Sequence, residues 1–363
     1  MTTRAWRAPG RVNLIGEHTD YNLGFVLPIA LDLACTVIRS PSADGKLRVH
    51  SVYRNESREW TGPSAERAGH WSDYVFGVAR ELHRAGYAIE PAELLIKSTV
   101  PEGGGLSSSA ALEVASALAM LDGRSIEPLR LAQLCQQAEI DFVGMPCGIM
   151  DQYCAVFAQE DAALKIDCRD LTHEVVKLPP EVEILAVNSM VKHELAGSAY
   201  RERTLECAAA VKAIQARHPS VRSLRDVDSE QLQQLQRYIP PLPARRAGHV
   251  VRENDRVEDF VGACLRGELH QMGELFVESH RSLQLEYEVS CPELDLLVDH
   301  ALSIDGVYGA RMTGGGFGGC TVNLVAPGAV SEFRRAMSEG YAKLYGVTPQ
   351  IYHCRPAAGA GRA

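Results

Sequence analysis

The chain has 363 residues, of which 46% are hydrophobic and 23% charged, and its formal net charge is −9. That length is long for a single core and typical of two domains or two lobes, and the composition is that of an ordinary globular protein. The acidic balance argues against nucleic acid and anionic membrane as main partners, since both need a basic surface. An anionic small ligand stays possible, because it needs only a local positive site. No apolar run reaches membrane-spanning length, and no secretory apolar segment follows Met1. Ten cysteines occur without a CxxC pair, so reduced thiols and a cytoplasmic location are expected.

Taken in chain order, APGRVNLIGEHTDYNLG (8–24) is the most informative stretch. It packs Arg11, Asn13, Glu17, His18 and Asp20 close together. Glu17 and Asp20 are acceptors for hydroxyl groups, and Arg11 is a permanent cation suited to a phosphate oxygen. A site offering both suits a molecule with many hydroxyls that meets a phosphate. Standing alone, the stretch reads as an exposed polar turn between strands. Strands are predicted at 25–38, at 47–53 after an Asp44-Gly45 turn, and at 92–100, ending at Pro101. A helix follows over 111–121, with Leu112, Ala115 and Ala119 on one face and Val114, Leu118 and Leu121 on the next. Another opens near Pro128 and runs to about Phe142, burying Leu131, Leu134, Cys135 and Ala138.

In the second half, 181–189 reads as a strand and a helix starts near Tyr200. PPLPARRAGH (240–249) is the most linker-like segment, and two helical patterns cover 251–305. GVYGARM and CTVNLV flank a glycine run as a predicted hairpin, and the tail PAAGAGRA (356–363) reads as mobile. The fold class expected is α+β (mixed), with an N-terminal lobe over 1–180, a C-terminal lobe over 181–363 and a cleft between them.

Three further segments carry candidate chemistry. PEGGGLSSSA (101–110) joins a strand to a helix. Its glycines permit close backbone approach, and a helix N-terminus offers unsatisfied N–H groups to phosphate. It is not a Walker A loop, lacking the Lys-Ser/Thr ending. A bare glycine turn with a serine cap is the alternative. Glu139, beside the buried face of its helix, could join Ser109 in holding the Mg2+ that a triphosphate needs, although a helical glutamate is more often a solvated charge. Asp151 lies in the apolar segment VGMPCGIMDQYCAVF (143–157), where an aspartate either caps a turn or does chemistry. RMTGGGFGG (311–319) is a side-chain-poor ribbon, either a tight hairpin connection or a surface that lies against a ligand.

Together these motifs resemble the galactokinase branch of the GHMP sugar and metabolite kinases. GRVNLIGEHTDYN (10–22) is similar to its signature, PEGGGLSSSA to its phosphate loop, PCGIMDQY (146–153) to the segment with its catalytic aspartate, and GARMTGGGFGGC (309–320) to its third motif. The likeness extends to HWSDYVFGV (70–78), SAYRERTLEC (198–207) and SHRSLQLEYEVSCPELD (279–295), and so spans nearly the whole chain. The resemblance implies ATP-dependent phosphorylation of the anomeric hydroxyl of galactose. It implies Asp151 as catalytic base or orienting group and Arg11 as the cation on the transferring phosphoryl group. Glu17, His18, Thr19, Asp20, Gly148, Asp151 and Tyr200 would contact the sugar. Gly103, Gly104, Gly105, Leu106, Ser107, Ser108 and Ser109 would wrap the ATP phosphates, with Ser51 and Trp71 at the nucleotide and Ser109 and Glu139 on Mg2+. A monomer binding a small sugar and ATP is expected, with no nucleic acid and no membrane. The rivals are a sibling kinase acting on N-acetylgalactosamine, arabinose or galacturonate, and a sensor that binds sugar and ATP without turnover.

Overall fold

The computed structural model describes residues 3–192 and 196–363. In chain order its elements are β1 (Arg4–Asn13), β2 (Phe25–Val26), β3 (Pro28–Pro41), β4 (Leu47–Ser51), β5 (Glu56–Glu59), α1 (Ser72–Arg84), β6 (Ala92–Ser98), α2 (Ser108–Leu121), α3 (Pro128–Ala138), α4 (Met150–Phe157), β7 (Ala162–Asp167), β8 (Thr172–Lys177) and β9 (Glu183–Lys192). They continue with α5 (Ala196–Gln215), α6 (Ser229–Leu235), α7 (Pro241–Arg266), α8 (Leu269–Ser282), α9 (Pro292–Leu302), β10 (Val307–Thr313), β11 (Gly318–Val325), α10 (Val330–Tyr345), β12 (Gln350–His353) and β13 (Gly361–Arg362). The mixed α+β class expected from the sequence is the class found.

The largest sheet runs β13-β1-β3-β6-β4-β5. Its neighbours are antiparallel except β4 beside β6, which are parallel. A second sheet, β10-β11-β9-β12, is antiparallel throughout, and a third is β2-β7-β8. In β4 the alternation is plain: Leu47 and Val49 are buried while Arg48 and His50 are partly exposed. β11 lies between β10 and β9 and is buried along its whole length, so GGCTVNLV shows no alternation.

α2 packs against β1 and β3 and is buried on most of its circumference. Its alanines at 110, 111, 115, 117 and 119 let it sit close to the sheet. In the same core, Val37, Leu94 and Val114 are each at most 1% exposed, and burial of such side chains is worth about 1.5–3 kcal/mol apiece. β1 and β3 lose register between Pro9 and Arg11. A Cβ on Gly10 would stand 2.6 Å from the Leu106 carbonyl oxygen. Glycine there lets the Arg11 N–H donate to that same oxygen at 3.1 Å, which pins the start of the glycine loop to β1.

Several sequence expectations are corrected. The strand expected over 25–38 divides at Leu27, β2 joining the third sheet and β3 the first. The helix expected to reach Phe142 is α-helical to Ala138 and then widens into a π-helical turn over Glu139–Val143, closed by Gly144 at φ 80°. PPLPARRAGH is not a linker but the opening of the 26-residue helix α7. Its prolines lie where the missing N–H is not needed, and Arg246 and His249 within it are buried. Three helices, not two, cover the region to 302. The tail is not mobile either. Ala357, Gly359, Ala360 and Ala363 donate backbone hydrogen bonds to Ala30, Ala158, Ala155 and Ala5, and β13 extends the first sheet. Its small residues fit between packed strands, where reading by composition takes them for a loose end.

Candidate active site

One cleft of about 1360 Å³ collects most of the candidate residues. A pocket for one small ligand is typically about 300–1000 Å³, so this volume suits two ligands side by side. Arg11, Glu17, His18, Asp20, Ser51, Trp71, Gly103, Gly105, Ser107, Ser108, Ser109, Glu139, Gly148, Asp151 and Tyr200 all border it. The β9 residue Asn188 and the ribbon Gly314–Gly319 close the other side.

Three of the candidate residues do not face the cleft. Thr19 is fully buried and its hydroxyl donates to the backbone of Gly16 and Phe25. It shapes the turn that carries His18 and Asp20. Leu106 points into the core beneath the loop. Gly104 backs onto the second sheet, where an added Cβ would lie 3.1 Å from Asn188 Nδ2. The glycine loop and the third-motif ribbon also meet backbone to backbone: Cβ atoms on Gly314 and Gly319 would lie 3.2 and 3.3 Å from the carbonyl oxygens of Gly105 and Gly104.

Asp151, in the first turn of α4, receives Arg11 Nε at 2.7 Å on Oδ1 and Arg11 Nη2 at 2.8 Å on Oδ2. Arg11 Nη1 donates to the Gly105 carbonyl at 2.6 Å. Burial works against the guanidinium charge, but Asp151 outweighs it and the Arg11 pKa is raised. Ser107 donates its hydroxyl to Asp151 Oδ2 instead of capping α2. It holds a left-handed conformation, φ 57° and ψ 47°, and makes no side-chain cap hydrogen bond. The first N–H groups of α2 therefore stay available at the partly positive helix end.

Glu139 is buried at the junction of α3 and the π-helical turn. It is not the solvated charge that a lone helical glutamate suggests. Burial first, and then the charge of Asp151, raises its pKa, while a hydrogen bond from Ser109 opposes the shift. Beneath it sits Glu113, fully buried on α2, and Gln152 Nε2 reaches both carboxylates at 2.9 and 2.8 Å. Burial, then the charge of Glu139, raises Glu113 as well. Sequence reasoning missed Glu113 and Gln152. The signal was a glutamate alone in an Ala/Leu/Val helix, four positions after Ser109.

At the other end, Asp20 accepts the Tyr21 backbone N–H at 2.9 Å. Burial, and next the nearby charge of Asp151, raise its pKa to about 7. A Cβ on Gly148 would stand 2.0 Å from Asp20 Oδ2, so only glycine lets the two chains close. His18, at φ 64°, is held neutral: burial, then the charges of His249 and Arg203, lower its pKa to about 3. The Tyr200 ring lies 5.4 Å from the His18 ring. Glu17 is 1% exposed, and its carboxylate takes Arg311 Nη2 at 2.6 Å, Asn13 Nδ2 at 2.7 Å, Gly314 N at 2.9 Å and Thr313 Oγ1 at 3.1 Å. That geometry ties the first motif to the third. Arg311 was also missed; a single arginine in an otherwise buried strand was its signal.

Residues 2–41 match the galactokinase galactose-binding signature, 73–159 the N-terminal domain of GHMP kinases and 260–343 their C-terminal domain. The chain is 47% identical over 359 residues to galactokinase of Roseiflexus sp. (strain RS-1), covering 98% of this chain and 92% of the relative. Against galactokinase of Homo sapiens the identity is 44% over 365 residues, covering 97% and 90%. Lactococcus lactis galactokinase complexed with galactose superposes with TM-score 0.94 at 35% identity, covering 99% of this chain and 95% of that one. Mevalonate kinase of Methanococcus jannaschii shares the fold, with TM-score 0.68 at 17% identity over 98% and 99%. The chain belongs to the galactokinases of the GHMP kinase family.

Proposed function

We infer that this protein transfers the γ-phosphoryl group of ATP to the anomeric hydroxyl of galactose, giving galactose 1-phosphate and ADP. The observation that carries the reading is the placement of Asp151. It is gripped by Arg11 and Ser107 between the open N-terminus of α2 on one side and His18, Asp20 and Gly148 on the other. A phosphate at the helix end and a sugar against His18 and Asp20 would meet at this carboxylate.

In this reading His18, Asp20, Gly148 and Tyr200 orient the sugar, with Glu17 bracing them from behind. Asp151 accepts the proton of the anomeric hydroxyl as its oxygen bonds to the γ-phosphorus. The bond to the β–γ bridging oxygen breaks, and ADP leaves with that electron pair. The transition state of such transfers is loose, so positioning and charge stabilisation dominate. Arg11 answers charge on the moving phosphoryl group, and the N–H groups at Ser107, Ser108 and Ser109 support the β- and γ-phosphates. Ser51 and Trp71 face the nucleotide end of the cleft.

Ser109 and Glu139 fit a Mg2+ site. Both border the cleft, and Ser109 hydrogen-bonds the Glu139 carboxylate, so one hydroxyl and one carboxylate stand together, a donor set that suits an ion completed by phosphate oxygens and water. When bound, Mg2+ would neutralise charge on the phosphates. The two-lobe division at 180/181, a monomeric state and a cytoplasmic location belong to the same proposal. Ten free thiols, nine of them buried, suit a reducing compartment. Among the described residues no helix is long and apolar enough to cross a membrane.

The test is ADP release with ATP and Mg2+ across galactose, glucose, N-acetylgalactosamine, arabinose and galacturonate. Turnover with galactose is expected. Preference for another sugar would overturn the substrate. Binding of ATP and galactose without ADP would overturn the enzyme reading in favour of a sensor.

A further inference from the structure

Asp151 and Gln152 are neighbours in the first turn of α4. Successive residues of an α-helix project about 100° apart, so the two serve different surroundings. Asp151 meets Arg11 and Ser107. Gln152 is fully buried, and its Nε2 lies 2.9 Å from Glu113 Oε2 on α2 and 2.8 Å from Glu139 Oε2 at the end of α3. The two carboxyl groups also hydrogen-bond each other, so one amide and two carboxyls form a closed triangle. Glu139 borders the cleft, as does Ser109, which hydrogen-bonds it, whereas Glu113 and Gln152 do not border it. The Glu139 carboxyl is thus held by a hydroxyl of the cleft wall and by an amide of the interior.

An amide NH2 has one N–H for each of two acceptors. Gln152 Oε1 and Glu113 Oε1 are buried and have no hydrogen-bond partner among the described residues. The hydrogen bonding of the Gln152 amide therefore goes wholly to the two carboxyl groups. A buried, unpaired amide oxygen costs stability, so glutamine is a poor choice here for packing alone. What it adds is a donor between two groups whose like charges would otherwise push apart. The bridge takes one oxygen of Glu139 and leaves the other out of it.

We propose that Gln152 is a positioning residue for the metal, its amide holding the Glu139 carboxyl between Glu113 and the cleft so that one oxygen is kept for the ion. The proposal rests on the reading of Glu139 as a Mg2+ ligand. It makes one helical turn set both the group that meets the sugar hydroxyl, through Asp151, and the group that meets the metal, through Gln152. Partners that hydrogen-bond a ligating carboxylate commonly govern metal affinity.

The experiment uses the whole protein with ADP and Mn2+, an ion that takes oxygen ligands as Mg2+ does and whose free form is counted by electron paramagnetic resonance. Gln152→Glu keeps the shape but puts a third carboxyl into the triangle, and should weaken Mn2+ at least about tenfold. Galactose Kd without nucleotide, measured by calorimetry, should stay within about threefold, since no sugar-side residue belongs to the triangle. The double variant Glu113→Gln/Gln152→Glu again has one amide and two carboxyls, and should return Mn2+ affinity to within about threefold of wild type. Unchanged Mn2+ affinity in Gln152→Glu with wild-type galactose Kd overturns the proposal. So does a double variant that binds galactose normally and Mn2+ no better than Gln152→Glu. A crystal structure of the wild-type complex with Mn2+ and ADP tests it without any variant: Glu139 should keep its hydrogen bond to Gln152 and ligate through its other oxygen, and a Glu139 that leaves Gln152 to reach the ion overturns the proposal. Glu139→Ala separates the two possible failures. If it leaves Mn2+ affinity unchanged, the metal reading falls and the proposal with it; if it weakens Mn2+ while Gln152→Glu does not, only the positioning role falls.

Discussion

Arg11 and Asp151, 140 positions apart in the chain, face each other through two near-parallel hydrogen bonds of 2.7 and 2.8 Å. The fork fixes the carboxylate plane and turns its remaining acceptor capacity toward the cleft. Asp151→Asn keeps the shape but replaces one acceptor with an NH2 group that cannot take a proton. Turnover should fall about 10²–10⁴-fold, the usual weight of a positioned general base. Galactose affinity, measured by calorimetry, should change by less than about fivefold. Near-normal turnover would remove Asp151 from the chemistry.

Asp20 sets a pH dependence. Its pKa is raised to about 7, by burial and then by Asp151, so the group is largely neutral below that pH and ionised above it. Only the ionised form accepts hydroxyl donors through both oxygens. Galactose Kd should therefore rise as pH falls below about 7, approaching tenfold per unit. His18, held at about 3, stays neutral over this window. For stability the sign is opposite: the unfolded chain ionises Asp20 first, so this group lowers stability as pH rises from about 4 toward 7. Calorimetry from pH 5.5 to 8.5 on wild type and Asp20→Asn checks both, since the variant should give a flat affinity profile.

Gly148→Ala should damage binding more than the fold. The new Cβ would strike Asp20 Oδ2 at 2.0 Å, Cγ at 2.1 Å and Cβ at 2.6 Å; the carboxylate can swing aside, but the backbone that carries its Cβ must give as well. Asp20 would leave its place, and galactose KM should rise at least about tenfold, the loss of roughly one good hydrogen bond to a charged group. The melting temperature should fall less than in a clash with backbone on both sides.

Gly273→Ala should do the reverse. There the Cβ would meet the Tyr308 carbonyl oxygen at 1.9 Å and its carbon at 2.4 Å, where α8 crosses β10. Backbone on both sides cannot swing away. A loss of about 3 kcal/mol or more is expected in urea unfolding, with KM for galactose unchanged in whatever protein remains folded.

Glu139→Ala should separate metal from sugar. It removes a carboxylate that borders the phosphate side of the cleft and leaves Asp20 and His18 in place. The Mg2+ concentration for half-maximal turnover should rise at least about tenfold, consistent with losing one of one or two protein ligands. Galactose binding without nucleotide should be unaltered. An unchanged Mg2+ requirement would reassign Glu139 to structure alone.

The site was legible where chemistry is written in clusters. Arg11, Glu17, His18 and Asp20 sit within ten residues of chain, and the triple glycine announces a backbone approach. Thr19 and Leu106 show the limit of that reading: within a motif, sequence does not say which side chains face the ligand and which hold the turn. Glu113 was harder to read for another reason. It acts through neighbours far along the chain, Gln152 and Glu139, and a lone Glu in an apolar helix stands out without any mark of its partners. The fold was readable wherever one face is buried, as in β4 and α3. It was misread at 240–249, where proline opens a helix as readily as it breaks one, and at 356–363, where small residues pack instead of fraying.

The pairing of Gly361–Arg362 with Trp6 and Arg7 also sets an order of events during synthesis. β13 lies far downstream of β1, so one side of β1 stays open until that segment has been made and has docked. Through that interval it is an uncovered edge, the kind of surface that recruits stray strands. A chain whose β13 has not yet docked therefore carries an exposed edge at residues 4–8, and a chaperone that shields that edge would matter until docking is complete.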